Sequence, residues 1–577
     1  MAENPAFQMA KTKKLAPTLQ HAMAACARGD STRAELLCRK VLEAQPGHFE
    51  AMNLLGFVLA QTNRIAEAAE WLGLAVAENP IDVAAQSNRG LMLQQLGQME
   101  EALACYDQAL KIDANHAGTH SNRGHVLRLL GRLDEALESC DRAIALDPKL
   151  PDAQLNRGTA LQAVGRLPEA LASYEGVLEL DPGSSLAHNN CGAVLQKLGR
   201  PHEARTSYQR AVEIDPNLAD AHNNLGALLR EMMQPDAAIA CFDRAIAARP
   251  DYAEAYWNKS LALLSLGDFA AGWPLYEWRW KQEKGKRARR GLTQPLWLGD
   301  HTIAGKTILL YAEQGLGDTI QFCRYAKQVA DLGARVVLEV PESLLSVMAT
   351  LEGIAQLVRL GDPLPPFDCQ CPLMSLPLAL RTELATIPAP PAYLGADAAK
   401  TRVWRAKLGE KRKPRVGVVW SGGFRPDQPE LWDVNARRNL DASKLAQLRD
   451  VRVDFYSLQK VEPAASDLAR LEAAHWNGPA IIDFTANLHD FSDTAALVAN
   501  LDLVISVDTS IAHLVGALGK PIWVLNRFDT CWRWLIGRTD SPWYPTARIY
   551  TQARPGDWDA VLAKVRADLE VRFLLNA

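Results

Sequence analysis

Hydrophobic and small positions along the first half of the chain recur with a period of 34 residues. Gly56, Gly90, Gly124, Gly158, Gly192 and Gly226 fall in one column, and Ala34, Ala68, Ala102, Ala136, Ala170, Ala204 and Ala238 in another. A third column holds Pro46, Pro80, Pro148, Pro182, Pro216 and Pro250, with Ala114 in place of proline. A fixed period of this length marks stacked supersecondary units. The pattern predicts two helices per unit. Glycine stands where the helices approach closely, and alanine where their crossing leaves no room. Proline ends the second helix, because it cannot continue one. Cys105 and Cys241 share a column with Ser139, Ser173 and Ser207, which makes them packing residues.

From Lys306 onward the pattern changes to short apolar runs alternating with helical segments. Ile308–Ala312, Arg335–Val340 and Gln356–Leu360 read as strands, and a proline-rich segment, Pro388–Pro391, interrupts the series. A second series contains Arg415–Trp420, Val453–Ser457, Leu503–Val507 and Ile522–Leu525. Such alternation predicts parallel sheets with crossover helices. Between the halves lie Trp273, Trp278 and Trp280, then Lys281, Lys284, Lys286, Arg287, Arg289 and Arg290, which read as a connector with a solvated basic face.

The first half resembles the tetratricopeptide (TPR) repeat, an α-solenoid of helix–turn–helix units. About seven units cover residues 15–252, and a degenerate one runs to about Trp280. A stacked array of this kind presents a concave groove suited to a polypeptide. Asn88, Asn122, Asn156, Asn190, Asn224 and Asn258 form a further column in it. An amide offers a donor and an acceptor, which matches the peptide unit of an extended chain. The column resembles the asparagine ladder with which O-GlcNAc transferases hold polypeptides in their TPR superhelix. Asparagine is also frequent at this place in TPR repeats, so a repeat-structure role stands beside the binding one.

Composition narrows the function classes. The chain has 63 Lys and Arg against 67 Asp and Glu, a net charge of −4, so it lacks the basic surplus of a dedicated nucleic-acid binder. No uninterrupted apolar run reaches the length of about 18 residues that spans a bilayer, and Met1–Lys14 carries no signal-peptide pattern. A cytoplasmic protein is expected. The 10 cysteines show no zinc-site spacing; Cys369 and Cys371 form a lone C-x-C and read as reduced core residues.

In open parallel sheets ligands sit beyond the carboxyl ends of the strands. Four segments stand there. Gly315-Leu316-Gly317-Asp318 opens a helix, where glycine allows close approach and the helix start favours an anion. Asp508-Thr509-Ser510, leading to His513 and Gly516-Ala517-Leu518-Gly519-Lys520-Pro521, again presents free N–H groups. Gln459-Lys460 follows a strand with a point charge suited to a diphosphate. Trp420-Ser421-Gly422-Gly423 is the fourth, followed by Arg437-Arg438. Asp557-Trp558-Asp559 spells D-x-D, but it follows Pro555-Gly556 and opens the final helix, so capping is its reading and no metal is expected.

The block from Asp508 to Pro521 resembles the D-T-x-x-x-H-x-x-x-A-L-G-x-P block of bacterial heptosyltransferase-type glycosyltransferases. Gly317-Asp318 is similar to their Gly-Asp after the first strand. With Trp420-Ser421-Gly422 and Gln459-Lys460, the likeness covers about residues 295–570. It implies a GT-B fold of two Rossmann-like domains, 306–395 and 396–577, after an N-terminal tail (1–14), the TPR array (15–280) and a basic linker (281–305). The final helix is expected to pack back across the two domains. The resemblance further implies a nucleotide-sugar donor and Asp318 as catalytic base. Gly315, Gly317, Trp420, Ser421, Arg438, Gln459, Lys460, Asp508, Thr509, Ser510 and His513 would hold the donor. The whole is similar to TPR-fused bacterial protein glycosyltransferases, including those that modify flagellin. A second histidine-rich nucleotide motif of O-GlcNAc transferases is missing, so donor identity does not carry over. The expected activity is sugar transfer to a protein held by the groove, without metal. A saccharide or lipopolysaccharide acceptor, with the repeats serving assembly, and a TPR scaffold carrying an inactive domain are the alternatives.

Overall fold

A computed structural model describes residues 5–288, 290–423, 432–460, 464–473 and 478–574. Arg289 of the basic run lies outside the described residues. The chain forms two compact units, Met1–Asn224 and Leu225–Ala577.

The first unit is a series of antiparallel helix pairs, beginning with a helix at Pro5–Ala27 that takes in part of the expected N-terminal tail. The periodic columns have clear physical causes. A Cβ on Gly56, Gly90, Gly124, Gly158 or Gly192 would lie 2.5–2.7 Å from Leu72, Tyr106, Cys140, Tyr174 or Tyr208, each sixteen positions later. Only glycine lets that side chain lie against the facing backbone. The alanines of the second column, from Ala34 to Ala204, are fully buried. Helices end at Ala44, Glu78, Leu146, Leu180 and Ile214, two residues before each column proline. A polar column adds a tie that periodicity alone does not disclose. Gln86, His120 and His188 reach back six residues to the carbonyls of Pro80, Ala114 and Pro182 at 3.1–3.2 Å, satisfying acceptors at the turn between units.

The second unit contains the last helices of the repeat pattern and two sheets whose strands are all parallel. The first sheet has β1 (Thr307–Tyr311), β2 (Arg335–Val340), β3 (Gln356–Arg359) and β4 (Cys369–Pro372), in the order β3-β2-β1-β4. The second has β5 (Arg415–Val419), β6 (Asp454–Ser457), β7 (Ile481–Asp483), β8 (Leu503–Val507), β9 (Ile522–Asn526) and β10 (Ala547–Thr551). Its order is β10-β9-β8-β5-β6-β7, a doubly wound arrangement. Both sheets reverse direction beside their first strand, between β1 and β4 and between β5 and β8. Burial on two faces follows from strict alternation: Ile308 and Leu310 of β1 join the large core, while Leu309 and Tyr311 form a smaller one behind the sheet.

Two expectations are corrected. Trp273 and Tyr276 are each 2% exposed, and Trp273 meets Trp532 edge-on at 5.4 Å, so this segment is core. Arg290 of the basic run pairs with the fully buried Glu339 instead of facing solvent, because β2 leaves that carboxylate in need of a cation. The final helix, Trp558–Leu574, does not spend its apolar face across the two sheets; Val561, Leu562, Val565 and Leu569 complete the core behind the second sheet with Val416, Val418 and Phe455.

No described helix is long and apolar enough to cross a membrane. All ten cysteines are unpaired, and Cys369 and Cys371 lie buried in β4.

Candidate functional site

The loops that follow β1, β5 and β8 meet at the points where the strand orders reverse, the place where open sheets hold ligands. After β1 the chain turns through Glu313 and Gln314 into the helix Leu316–Phe322, and the Asp318 carboxylate reaches back to the N–H of Gly315 at 3.1 Å. A Cβ on Gly317 would lie 2.8 Å from the His513 ring, so this glycine admits the helix Ser510–Ala517 of the second sheet. At that helix's start the Thr509 side chain makes no capping bond, and its hydroxyl meets Ser506 at 3.1 Å instead. The first N–H groups therefore keep their capacity for an anion.

Two cavities adjoin this helix start. One, of about 630 Å³, is lined by Gly315, Gly317, Asp318, Arg438, Asp508, His513 and Arg533. The other, of about 200 Å³, has apolar walls of Leu316, Val419, Leu458, Phe491 and Ile511, with Ser421, Gln459 and Lys460 beside them. Thr509 and Ser510 line both.

Within the larger cavity charge is balanced by proximity. Asp318 pairs with Arg533, which comes from the connection between β9 and β10. Arg533 also donates to the Cys531 sulfur at 3.1 Å and lies 4.4 Å over the Trp532 ring. Burial works against a charge on Asp508, but His513, Arg438 and Arg533 outweigh it and hold the carboxyl below its ordinary range. Burial pushes His513 down to about 4 against the pull of Asp508. The ring is therefore neutral at pH 7, and its 3.8 Å approach to Asp508 is no ion pair there. The two arginines supply the positive charge. His513 is fixed by the Tyr544 hydroxyl at 2.9 Å and by stacking on Trp534.

The sequence candidates take different roles. Lys460 is exposed at the smaller cavity, its ammonium 3.1 Å from the His489 carbonyl. Gln459 is buried and accepts from the Ser421 N–H at 3.0 Å, so it shapes the loop after β5. Arg438 bonds Asn435 at 2.5 Å and packs so tightly on Gly422 that a Cβ there would collide with its guanidinium. Trp420 is corrected: it is fully buried in the core behind the second sheet, its indole N–H bonding Asp467 at 2.9 Å, and so holds no ligand. Asp557 accepts from the N–H of Ala560 at 3.1 Å, and Asp559 binds Lys444 at 2.8 Å, so each acid of the D-x-D has a protein partner.

In the array, two members of the asparagine column bond back to the preceding repeat. Asn156 donates to the Ser121 hydroxyl at 3.0 Å and carbonyl at 3.2 Å, and Asn224 donates to Asn189 at 3.0 Å. Asn88, Asn122 and Asn190 are half-buried. Asn258 departs from the expected groove face: it belongs to the second unit and is 6% exposed.

Sequence reasoning missed Arg533 and a buried cluster beneath the Asp318 loop. Glu313 is 5% exposed, accepts from Arg279 and the Met374 N–H at 3.2 Å, and burial pushes its carboxyl up to about 7 despite that arginine. Gln314 donates to the Tyr276 hydroxyl at 3.0 Å. The carboxyl end of the strand read at Ile522–Leu525 points to the segment that carries Arg533.

Residues 19–83, 82–149, 149–217 and 219–252 match family models described as tetratricopeptide repeat. The N-terminal array is a TPR solenoid. Protein FlbA of Caulobacter vibrioides is 26% identical over 337 residues, which is 54% of this chain and 54% of FlbA. The chain thus spans about half the length of that relative. Among solved structures, a tetratricopeptide repeat protein from Parabacteroides merdae is 15% identical with a TM-score of 0.39, covering 44% of this chain and 99% of its own. YrrB, a TPR protein with an unusual peptide-binding site, is 28% identical with a TM-score of 0.27, covering 33% of this chain and 100% of its own.

Proposed function

We propose that this chain is a GT-B glycosyltransferase that moves a sugar from a nucleotide-sugar donor to a protein presented by its TPR array. The observation that carries this reading is one cavity in which the Asp318 carboxylate and the start of helix Ser510–Ala517 share a space with two arginines. The apolar cavity beside it, reached across Thr509 and Ser510, suits the base of the nucleotide.

In this mechanism the diphosphate lies at the N–H groups of the helix start, with Lys460 and Arg438 meeting its charge. Asp318 accepts the proton of the acceptor hydroxyl as that oxygen attacks the anomeric carbon. The bond from that carbon to the phosphate oxygen breaks, and its electron pair leaves with the nucleotide. A single displacement of this kind inverts the anomeric centre. The proposed mechanism uses no metal. The TPR array supplies the protein-binding surface, with flagellin as one acceptor to test.

A saccharide acceptor is the second reading, and one observation favours it. Asn156 and Asn224 are used in bonds between repeats, which leaves fewer amides for a bound peptide. The experiment is incubation of the full chain with common nucleotide sugars, reading nucleoside phosphate release and the intact mass of candidate proteins and glycans. A protein gaining one sugar mass supports the first reading, and a glycan gaining it the second. Neither acceptor gaining mass, with no nucleotide released, rejects transfer.

A further inference from the structure

In the proposed reaction Asp318 must take a proton, yet both of its oxygens are engaged: one by the Gly315 N–H at 3.1 Å, the other by Arg533. The two partners differ in kind. Gly315 is local and belongs to the same turn. Arg533 lies on the segment between β9 and β10 of the other sheet. Its remaining ties are weak: a thiol, which is a poor acceptor, and the face of Trp532. Its Nε is buried and has no hydrogen-bond partner among the described residues.

Charge makes the same point. Two carboxylates, Asp318 and Asp508, and two guanidiniums, Arg438 and Arg533, face one cavity, and His513 is neutral there. That set is balanced while empty. A diphosphate arriving at Thr509 and Ser510 adds negative charge, and it offers a guanidinium a bidentate acceptor within the same cavity.

We infer that Arg533 is a transferable counter-ion, holding Asp318 while the site is empty and moving to the donor's diphosphate, so that donor binding releases the base. This rests on the nucleotide-sugar reading of the site. It assigns Arg533 direct contact with substrate and makes donor binding precede acceptor activation.

Calorimetry on the full chain tests it, using inorganic pyrophosphate and, separately, ADP, GDP, UDP and CDP. Arg533→Gln should weaken binding about tenfold or more, as expected for loss of a charge-assisted pair. Asp318→Asn should tighten binding several-fold, because Arg533 no longer has to leave a carboxylate. That gain should vanish when Arg533→Gln is also present. An equal gain with and without Arg533 would reduce the effect to plain repulsion by Asp318 and overturn the inference, as would unchanged binding in Arg533→Gln. Near-ultraviolet circular dichroism reports whether the variants keep the tryptophan packing. If Arg533→Gln does not fold, Arg533→Lys is read instead: binding weakened about threefold or more supports the transfer, and unchanged binding overturns it. Should the native chain bind neither pyrophosphate nor any of the four nucleotides, the nucleotide-sugar reading itself fails, a result distinct from native binding that ignores Arg533.

Discussion

His513 lies flat against Trp534, with ring centroids 5.4 Å apart and 14° between the planes. Together with the Tyr544 hydroxyl, this packing fixes the ring between Gly317 and Asp508. Its burial leads to the first prediction. The fold holds the neutral ring, with its pKa lowered from 6.5 to about 4, so on acidification the unfolded chain takes up a proton first. The ring leaves stability unchanged above about pH 6.5 and lowers it as the pH falls towards 4, by about 3 kcal/mol in all. In an NMR titration the His513 ring signals should stay constant from pH 8 to about 5. A midpoint near 6.5 contradicts the buried neutral ring.

Asp318→Asn preserves size and the bond to Gly315 while removing the ionisable group. Sugar transfer should fall by about 10²–10⁴-fold, the usual weight of general-base assistance. Nucleotide binding should survive. Turnover close to normal would make Asp318 a capping residue.

Lys460→Ala should weaken nucleoside diphosphate binding by about 1.5–3 kcal/mol, because among the described residues its exposed ammonium gives up only the His489 carbonyl. In the same assay EDTA should leave activity intact. Activity abolished by chelation and restored by a divalent ion would reverse the metal-free mechanism.

Replacing Asn156, Asn190 and Asn224 together by alanine should raise KM for a protein acceptor and leave donor hydrolysis by water unchanged. The bonds from Asn156 to Ser121 and from Asn224 to Asn189 mean that the array should also melt earlier, by about 0.5–1.5 kcal/mol per lost bond. Kinetics are therefore compared at a temperature where circular dichroism finds both proteins folded. A melting shift with an unchanged KM would assign the column to repeat structure alone.

Gly158→Ala places a methyl group 2.5 Å from the Tyr174 ring. Overpacking of this kind costs about 1–3 kcal/mol, visible as an earlier thermal transition of the array. A melting curve identical to the native one would show that the helix pair opens freely.

The repeat half was legible because one steric demand recurs: the small residue stands wherever the large one sixteen positions later arrives. Seven strands were also legible, since runs such as Arg335–Val340 and Leu503–Val507 carry β-branched residues between clear breaks. The three missed strands lack that signal. β4 is Cys-Gln-Cys-Pro, β7 has three residues, and β10 begins Ala-Arg. Thr509 and Ser510 could be found because they follow β8 within one turn, and Asp318 because glycines mark the helix start it occupies after β1. Arg533 does not stand out, since no glycine-rich helix start marks the segment after β9, and it gains its meaning only when the other sheet brings Asp318 to it. Trp420 misled for the converse reason: the residue just past a strand points into the core as readily as out of it.

Each glycine and the bulky side chain it admits lie inside a single 34-residue period of the first unit. The fit is thus self-contained, and neighbouring periods offer one another nearly the same docking surface. Lengthening or shortening the coil is then a matter of copying or excising whole periods, with no new jigsaw to solve. Gene duplication within this half meets little steric resistance, whereas a helical insertion between a glycine and the side chain sixteen positions later sets that glycine against the wrong partner.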